Sequence, residues 1–383
     1  AECAELEEMA PELHQVAGNL AMPGFTAPKL LWVRRHEPEH FQRTATVLLP
    51  KDYLRYRMTG KKVSDMSDAA GTLWLDVAKR DWSDSLLDKC GLSRSQMPTL
   101  VEGCEVSATL DPQVAERWGL NASVAVAGGG GDNAVSAIGV GAVSPGDAFI
   151  SLGTSGVLFV VTDAYRPAPQ SAVHAFCHVL PNLWHQMSVM LSAASCLQWF
   201  CRLTGTTEVA LLEEIAELSE EEKAHAPFFL PYLSGERTPH NDPDARGMFW
   251  GMTHSSLRAQ LGYAVLEGVS FGINDGLQVL KESGTQIEQC SLVGGGARSP
   301  FWAQLLADIL DMPVVTHKGG ETGGALGAAR LACLAAGEPI TAVCEKPEIW
   351  QTWRADPVRH QTLMRRYAQF KALYLNDLNY RQH

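Results

Sequence analysis

The sequence lacks the features of a membrane-bound or secreted protein. No apolar run reaches the roughly 18 residues that a membrane-spanning helix needs. The glutamate-rich start has neither the basic stretch nor the apolar stretch of a signal peptide. The nine cysteines include no C-x-x-C pair, so we expect reduced cysteines in a soluble cytoplasmic protein.

Basic residues are also scarce. The 31 lysines and arginines are outnumbered by 43 aspartates and glutamates, and the formal net charge is −12. This charge argues against a nucleic-acid partner or a membrane-surface partner. A phosphate ligand would therefore have to be held by backbone N–H groups, a metal ion and a few local cations.

The length and the composition that remain are those of a globular enzyme. A chain of 383 residues exceeds one ordinary core and predicts two domains. The hydrophobic content of 46% and the charged content of 19% are close to globular averages. Because Pro145 and Gly146 punctuate the chain, we predict a first domain over residues 1–142 and a second over residues 143–383.

The most informative segment is a run of four glycines followed by an aspartate. Residues 124–127 are apolar and predict a buried strand, and the glycines at 128–131 would let the backbone approach a ligand. Asp132 would then lie at the carboxyl end of a strand, where open α/β sheets bind ligands. Its carboxylate could accept a proton from a substrate hydroxyl, or it could only cap a helix over residues 133–140.

Two further glycine-rich turns follow predicted strands. Residues 148–152 and 157–161 predict a hairpin, and the Gly, Ser and Thr residues of its turn at 153–156 could hold phosphate oxygens or form an ordinary tight turn. Residues 291–293 predict a strand that runs into the glycines at 294–296 and then a helix, an arrangement that seats nucleotides. There is no Walker lysine and no dinucleotide fingerprint, yet three such turns together indicate a nucleotide.

Two clusters of polar residues have both structural and functional interpretations. His174, Cys177 and His178 could ligate a metal, but they lie in an apolar stretch without zinc-like spacing and are better explained as core residues. Glu236 and Arg237 could act in a site or form a buried ion pair that braces a hinge.

Two long motifs resemble the signatures of the FGGY carbohydrate kinases. The first is GFTAPKLLWVRRH at residues 24–36, and the second comprises GMFWGM at 247–252 and QLGYAVLE at 260–267. The three glycine-rich turns occur in the order that the family has. Within the family, SDMSDAAGT at 64–72 and YLSGERTPHND at 232–242 resemble the bacterial members that phosphorylate D-xylulose.

The resemblance implies an α/β fold with two actin-like, ribonuclease H-like domains and a catalytic cleft between them. It implies ATP and Mg²⁺ as cofactors, D-xylulose as the sugar substrate, and a homodimer as the assembly. Asp132 matches the catalytic base of the family and Asn133 a sugar contact. The residues that match its nucleotide contacts are Gly153, Thr154, Gly294, Gly295, Gly296 and Ala297.

One family element has no counterpart here. Family members begin with a strand–hairpin that carries Asp-x-Gly-Thr, which binds phosphate, helps to hold magnesium and contacts the sugar. This chain contains no such motif before residue 24, so we expect the N-terminal strand–hairpin to be missing.

Alternatives from other classes remain open. An actin-like chaperone or filament protein would share the architecture, and a catalytically inactive ATP-binding fragment would share the nucleotide turns. Gluconate and ribulose kinases are the alternatives within the family, because a few pocket contacts decide which sugar binds.

Overall fold

A computed structural model describes residues 1–318 and 323–381. Helices predominate before residue 140, and helices alternate with longer strands after it. The helices are α1 (Glu2–Met9), α2 (Leu13–Val16), α3 (Thr26–His36), α4 (Pro38–Gln42), α5 (Pro50–Thr59), α6 (Met66–Ala70), α7 (Asp84–Lys89), α8 (Pro112–Trp118), α9 (Asp132–Gly139), α10 (Ala194–Thr204), α11 (Glu208–Ala216), α12 (Glu220–Ala224), α13 (Arg258–Glu282), α14 (Pro300–Leu310), α15 (Gly323–Ala335), α16 (Ile340–Val343) and α17 (Pro357–Arg381).

The strands are mostly short. They are β1 (Val63–Asp65), β2 (Leu75–Asp76), β3 (Asp81–Trp82), β4 (Thr99–Val101), β5 (Val106–Thr109), β6 (Ala125–Ala127), β7 (Ala148–Leu152), β8 (Gly156–Thr162), β9 (His174–Cys177), β10 (Trp184–Met190), β11 (Phe228–Leu230), β12 (Met248–Trp250), β13 (Cys290–Val293), β14 (Val314–His317) and β15 (Ile349–Trp353). Short 3₁₀ turns lie at Arg94–Gln96, Pro169–Ser171 and Gly295–Arg298.

One mixed sheet organises the second half of the chain. Among the described residues it has seven strands in the order β15-β14-β13-β7-β8-β10-β9. Strand β13 runs parallel to both β7 and β14, and the hairpin partner β8 runs antiparallel to β7. The carboxyl ends of β7 and β13 therefore meet at one edge of the sheet, as the prediction of two ligand-binding turns requires.

Both faces of the sheet are buried because apolar residues occupy consecutive positions along its strands. In β8, Leu158 and Val160 belong to a core shared with α10, α13, α14 and α17. Phe159 and Val161 point to the other face, which packs against the N-terminal helices. Successive side chains of a strand lie on opposite faces, so one apolar run serves two cores.

Helix α13 lies close to β11 and to strand β10 of the large sheet because glycines line the side that it presents to them. A Cβ at Gly268 would lie 2.2 Å from the carbonyl oxygen of Phe229, and a Cβ at Gly276 would lie 2.3 Å from Ser188 Oγ. Gly272 lies midway between these two glycines in the sequence. Residues four apart share one helix face, so this spacing permits the close contact.

The first half of the chain contains smaller sheets. Among the described residues, two-stranded sheets are formed by the pairs β1–β4, β2–β3 and β5–β6. Strand β6 lies where the sequence predicted a strand, but it is not buried. It is half-exposed and, among the described residues, pairs with β5 alone. The prediction of a buried strand was therefore wrong, because the small residues of β6 lie at the surface. The proposed domain boundary falls in the loop between α9 and β7 and stays a prediction.

Candidate active site

Asp132 is the first residue of α9, directly after the glycine loop. Its side chain is exposed, and Oδ1 accepts hydrogen bonds from the backbone N–H of Asn133 at 2.7 Å and from Asn133 Nδ2 at 3.0 Å. The residue at the cap position is Gly131, and no side chain caps this helix. The alternative role of Asp132 as the helix cap was thus wrong, and Oδ2 has no hydrogen bond within residues 1–318 and 323–381.

The glycine loop packs against protein more than was predicted. A Cβ at Gly128 would lie 2.3 Å from the carbonyl oxygen of Glu102, and a Cβ at Gly130 would lie 2.3 Å from Val179 Cγ1. Gly129, with φ of +74°, has open space around its α-carbon. Close packing on the protein therefore explains Gly128 and Gly130. Gly129 and Gly131, where a Cβ would meet no described atom closer than 3.7 Å, fit the predicted approach of a ligand.

A polar chain that the sequence did not reveal holds the start of α9. The N–H of Gly131 donates to Ser67 Oγ at 3.0 Å, and that hydroxyl donates to Asp65 Oδ2. Asp65 also caps α6 by accepting the N–H groups of Ser67 and Asp68. The only sequence signal was the acidic character of residues 64–82, which indicates a functional loop without saying which residue does what.

Lys51 forms ion pairs with three aspartates around this hydrogen-bonded network. Its Nζ lies 2.5 Å from Asp65 Oδ1, 2.7 Å from Asp52 Oδ1 and 3.3 Å from Asp68 Oδ2. Burial lowers the pKa of the Lys51 ammonium, but the carboxylates raise it to a net value above the ordinary one. Burial raises the pKa of Asp68 against the attraction of Lys51. The glycine loop is therefore supported by a partly buried network in which one ammonium faces three carboxylates.

The hairpin predicted between β7 and β8 is confirmed, and its turn is tied to α10. The carbonyl oxygens of Gly153 and Thr154 accept the N–H groups of Ala194 at 2.8 Å and Ala193 at 2.9 Å. Ser195 Oγ donates to the carbonyl oxygen of Thr154 at 2.7 Å. Within the part of the chain that the structure describes, the N–H groups of Thr154 and Ser155 have no hydrogen-bond acceptor. These N–H groups are the donors that a phosphate needs.

The third glycine turn meets the hairpin, as predicted from the strand ends. A Cβ at Gly294 would lie 2.9 Å from the carbonyl oxygen of Leu152, and a Cβ at Gly296 would lie 2.4 Å from Leu152 Cδ2. A Cβ at Gly295 would meet no described atom within 4 Å, and the N–H of Ala297 donates to the carbonyl oxygen of Gly294 at 3.1 Å. The structure thus brings the two predicted nucleotide turns together around Leu152.

Asp132 and Asn133 supply side chains, whereas this pair of turns supplies backbone groups. No hydrogen bond among the described residues joins either side chain to Gly153, Thr154 or residues 294–297. A kinase site needs a carboxylate for the hydroxyl proton and donors for the phosphate oxygens, and the predicted residues include one group of each kind.

Glu236 and Arg237 do not form the predicted ion pair in the described part of the chain. Glu236 Oε1 accepts the backbone N–H of Arg237 at 2.7 Å and that of Leu191 at 2.9 Å. Burial raises the pKa of Glu236 to about 7, although both N–H groups oppose this effect. The guanidinium of Arg237 instead contacts His174 Nε2 at 3.2 Å.

The histidine–cysteine cluster is part of the core, as predicted. His174, Cys177 and His178 are buried, and His174 Nδ1 bonds with Asn19 Oδ1 at 2.8 Å. Burial, reinforced by the charge of Arg237, lowers the pKa of His174 to about 3. In residues 1–318 and 323–381, no group of three or more His, Cys, Asp or Glu side chains could hold a metal ion. None of the described helices combines the length and apolar character that crossing a membrane requires.

Comparison with known proteins agrees with these motifs. Residues 1–139 match the N-terminal domain of the FGGY family of carbohydrate kinases, and residues 148–336 match its C-terminal domain. The chain is 53% identical over 375 residues to the xylulose kinase of Escherichia coli (strain K12), covering 97% of this chain and 77% of that protein. It is 54% identical over 334 residues to the xylulose kinase of Klebsiella pneumoniae, covering 87% of this chain and 68% of that protein.

A solved structure shows the same fold. The xyloylose (xylulose) kinase of Brucella ovis matches with a TM-score of 0.94 and 48% identity, covering 99% of this chain and 79% of that chain. The two-domain α/β fold expected from the motifs is thereby confirmed, and the family implies ATP as a substrate. The chain belongs to the FGGY family of carbohydrate kinases.

Proposed function

We propose that this chain transfers the γ-phosphoryl group of ATP to D-xylulose and forms D-xylulose 5-phosphate. The observation that supports this most strongly is 53% identity to a xylulose kinase across 97% of the chain. Identity of this extent includes the segments 64–72 and 232–242, which resemble the members that act on D-xylulose.

In this proposal Asp132 is the general base. Its exposed carboxylate accepts the proton of the sugar hydroxyl as that oxygen attacks the γ-phosphorus and ADP leaves. Asn133 holds Oδ1 of Asp132 through two hydrogen bonds and contacts the sugar. Oδ2 is the atom that receives the proton.

The nucleotide lies at the two glycine-rich turns. The N–H groups of Thr154 and Ser155 donate to phosphate oxygens, and Gly153 lets the turn adopt the required path. The turn of Gly294, Gly295, Gly296 and Ala297 contacts the rest of the nucleotide, with the open side of Gly295 toward it. Backbone donors suit this chain because its net charge of −12 offers no general attraction for phosphate.

Mg²⁺ belongs to the proposal through ATP. Kinases hold Mg²⁺ mainly on substrate phosphates with one or two carboxylates, so a site with few protein ligands is expected. When bound with ATP, the ion would supply positive charge to the phosphoryl oxygens, and Asp132 is the described carboxylate nearest in sequence to the glycine loop.

The test is sugar-dependent ADP formation by the protein as its gene encodes it. D-xylulose, D-ribulose and D-gluconate are compared under identical conditions, with ATP alone as the blank. We expect kcat/KM for D-xylulose to exceed the other values by at least about tenfold. Preference for D-gluconate or D-ribulose would contradict the sugar assignment, and ATP turnover that no sugar stimulates would contradict the kinase assignment.

Location and assembly complete the proposal. We infer that the protein is cytoplasmic and that it forms a homodimer. Sedimentation of the purified protein tests the homodimer directly. A monomeric mass at micromolar concentration would contradict the dimer and leave the proposed chemistry unaffected.

A further inference from the structure

Glu236 is a buried carboxylate that the proposed chemistry does not use. Only 3% of the residue is exposed. Oε1 accepts two backbone N–H groups, from Leu191 at 2.9 Å and Arg237 at 2.7 Å. Oε2 is buried and has no hydrogen-bond partner among the described residues. Burying a carboxylate that has one unpaired oxygen costs free energy, so there must be a reason for a carboxylate at this position.

The segment directly after Leu191 supplies that reason. Strand β10 ends at Met190 and α10 begins at Ala194, so residues 191–193 link the two elements, and the end of this link contacts the phosphate turn. Ala193 and Ala194 donate their N–H groups to the carbonyl oxygens of Thr154 and Gly153. Fixing Leu191 therefore fixes the two residues that hold the turn.

Thr238, two residues after Glu236, holds the end of strand β10 just before the link. The N–H of Thr238 donates to the carbonyl oxygen of Val189 at 3.0 Å, and the N–H of Val189 donates to Thr238 Oγ1 at 3.0 Å. Residues 236–238 thus bind the end of β10 at Val189 and Leu191. Ser195 Oγ completes the connection with its 2.7 Å bond to the carbonyl oxygen of Thr154.

We propose that Glu236 is a positioning residue for the nucleotide. It holds the link over residues 191–195 and, through that link, keeps the carbonyl oxygens of Gly153 and Thr154 occupied. The N–H groups of the turn then remain free to meet a phosphate. This inference rests on the proposed nucleotide role of the turn, and it assigns the conspicuous GER segment at 235–237 to the nucleotide side of the reaction.

The test measures magnesium–ADP binding and D-xylulose binding separately by calorimetry, on the protein as its gene encodes it. In Glu236→Leu, two N–H groups lose their acceptor, and we expect ADP affinity to fall by about tenfold or more. The affinity for D-xylulose should stay within about twofold. Glu236→Gln keeps an oxygen that accepts both N–H groups, so its ADP affinity should stay within about threefold.

Glu267→Leu is the matched control. Glu267 is another buried carboxylate of the same half, with a pKa that burial raises, but it accepts its described hydrogen bonds from Arg366. We expect this variant to lose thermal stability and to keep its ADP affinity within about twofold. Equal loss of both ligands in Glu236→Leu, or unchanged ADP affinity, would overturn the inference, as would a loss in Glu236→Gln as large as in Glu236→Leu.

A second variant covers the case in which Glu236→Leu does not fold. Ser195→Ala removes one bond from the same connection at a half-buried site, and it should weaken ADP binding about three- to fivefold. Unchanged binding would overturn the inference. A wild-type protein that binds ADP but phosphorylates no sugar would refute only the proposed function, whereas one that binds no ADP would refute the nucleotide role and this inference together.

Discussion

At the scale of single residues, the proposed reaction depends on one exposed carboxylate. Asp132→Asn keeps the shape of the side chain and the acceptor for Asn133, but the amide cannot take a proton. We expect kcat to fall by at least about 100-fold while ADP affinity stays within about threefold, because general-base catalysis contributes 10²–10⁴ in rate. Initial-rate kinetics with saturating D-xylulose and calorimetry with ADP provide the measurement.

Asp84→Asn is a fair control for that variant. Asp84 is also an exposed aspartate at the first residue of a helix, α7, where its described partner is Arg94. Its substitution should leave kcat unchanged. A kcat within about threefold of wild type in Asp132→Asn would exclude Asp132 as an essential base.

A second residue-scale prediction concerns pH. Glu236 has a pKa of about 7 in the folded chain against an ordinary value of 4.5, because burial disfavours its charged form. Its contribution to the free energy of unfolding is therefore fully present below pH 4.5 and is lost as the pH rises to about 7. Glu236→Gln has no proton to lose, so relative to wild type it should gain about 3 kcal/mol between pH 4.5 and pH 8.

Urea denaturation of both proteins at several pH values checks this prediction. The direction of the change is the decisive feature. A pKa lowered by folding would make the wild type gain stability as the pH rises toward 4.5 and would leave the difference between the two proteins nearly constant above that pH. A constant difference across pH 4.5–8 would therefore show that folding does not raise the pKa of Glu236.

At the scale of elements, the glycine turn after β13 separates folding from binding. A Cβ at Gly295 would meet no atom of the described residues within 4 Å, and the φ of Gly295 is not positive. Gly295→Val should therefore keep the melting temperature within a few degrees of wild type while weakening ADP binding by more than about tenfold, because the side chain fills the space proposed for the nucleotide.

The adjacent glycine gives the contrasting case. A Cβ at Gly296 would lie 2.4 Å from Leu152 Cδ2, so Gly296→Val should destabilise the fold by an amount typical of overpacking, about 1–3 kcal/mol. Thermal denaturation and calorimetry of the two variants make the comparison. Unaltered ADP affinity in Gly295→Val would remove this turn from the nucleotide site.

The support of the base-bearing loop makes another element-scale prediction. Ser67 accepts the N–H of Gly131 and donates to Asp65, so Ser67→Ala leaves that N–H without its acceptor. We expect kcat to fall about fivefold, since a net hydrogen bond is worth about 1 kcal/mol. Ser64→Ala is the control, because the buried Ser64 Oγ has no partner among the described residues. Equal kcat in both variants would contradict a positioning role for Ser67.

These elements differ in how far the sequence predicted them. The hairpin turn at Gly153 and the turn at Gly294 were predictable because glycines at strand ends have a local signature. Lys51 and Ser67 were not, because they reach the loop at Gly131 from segments distant in the chain. Long-range contacts leave no periodic pattern, and the same limit explains why the sequence left a buried ion pair with Arg237 open as one of two roles for Glu236.

At the scale of the whole molecule, one core joins the two halves of the chain. The cluster contains residues of α1, α2, α3 and α7 together with Phe149, Phe159 and Val161 of the large sheet. Phe159 stacks on Phe149 at 4.8 Å and on His185 at 4.5 Å between ring centroids. The N-terminal helices therefore use the large sheet of the second half as part of their own core.

This shared core predicts that the N-terminal helices and the large sheet unfold together. Phe159→Ala should cost about 3–5 kcal/mol, because it removes a fully buried aromatic ring and leaves a cavity between the two halves. Hydrogen exchange should then accelerate by a similar factor in α1, α3, β8 and β10, since a cooperative unit opens as a whole. If the amides of α1 kept their wild-type protection while those of β10 lost theirs, the helices would have a stability of their own, and the cluster would be a contact between independent units. Leu306→Ala serves as the comparison, because Leu306 is equally buried in the other cluster and has no part in this one.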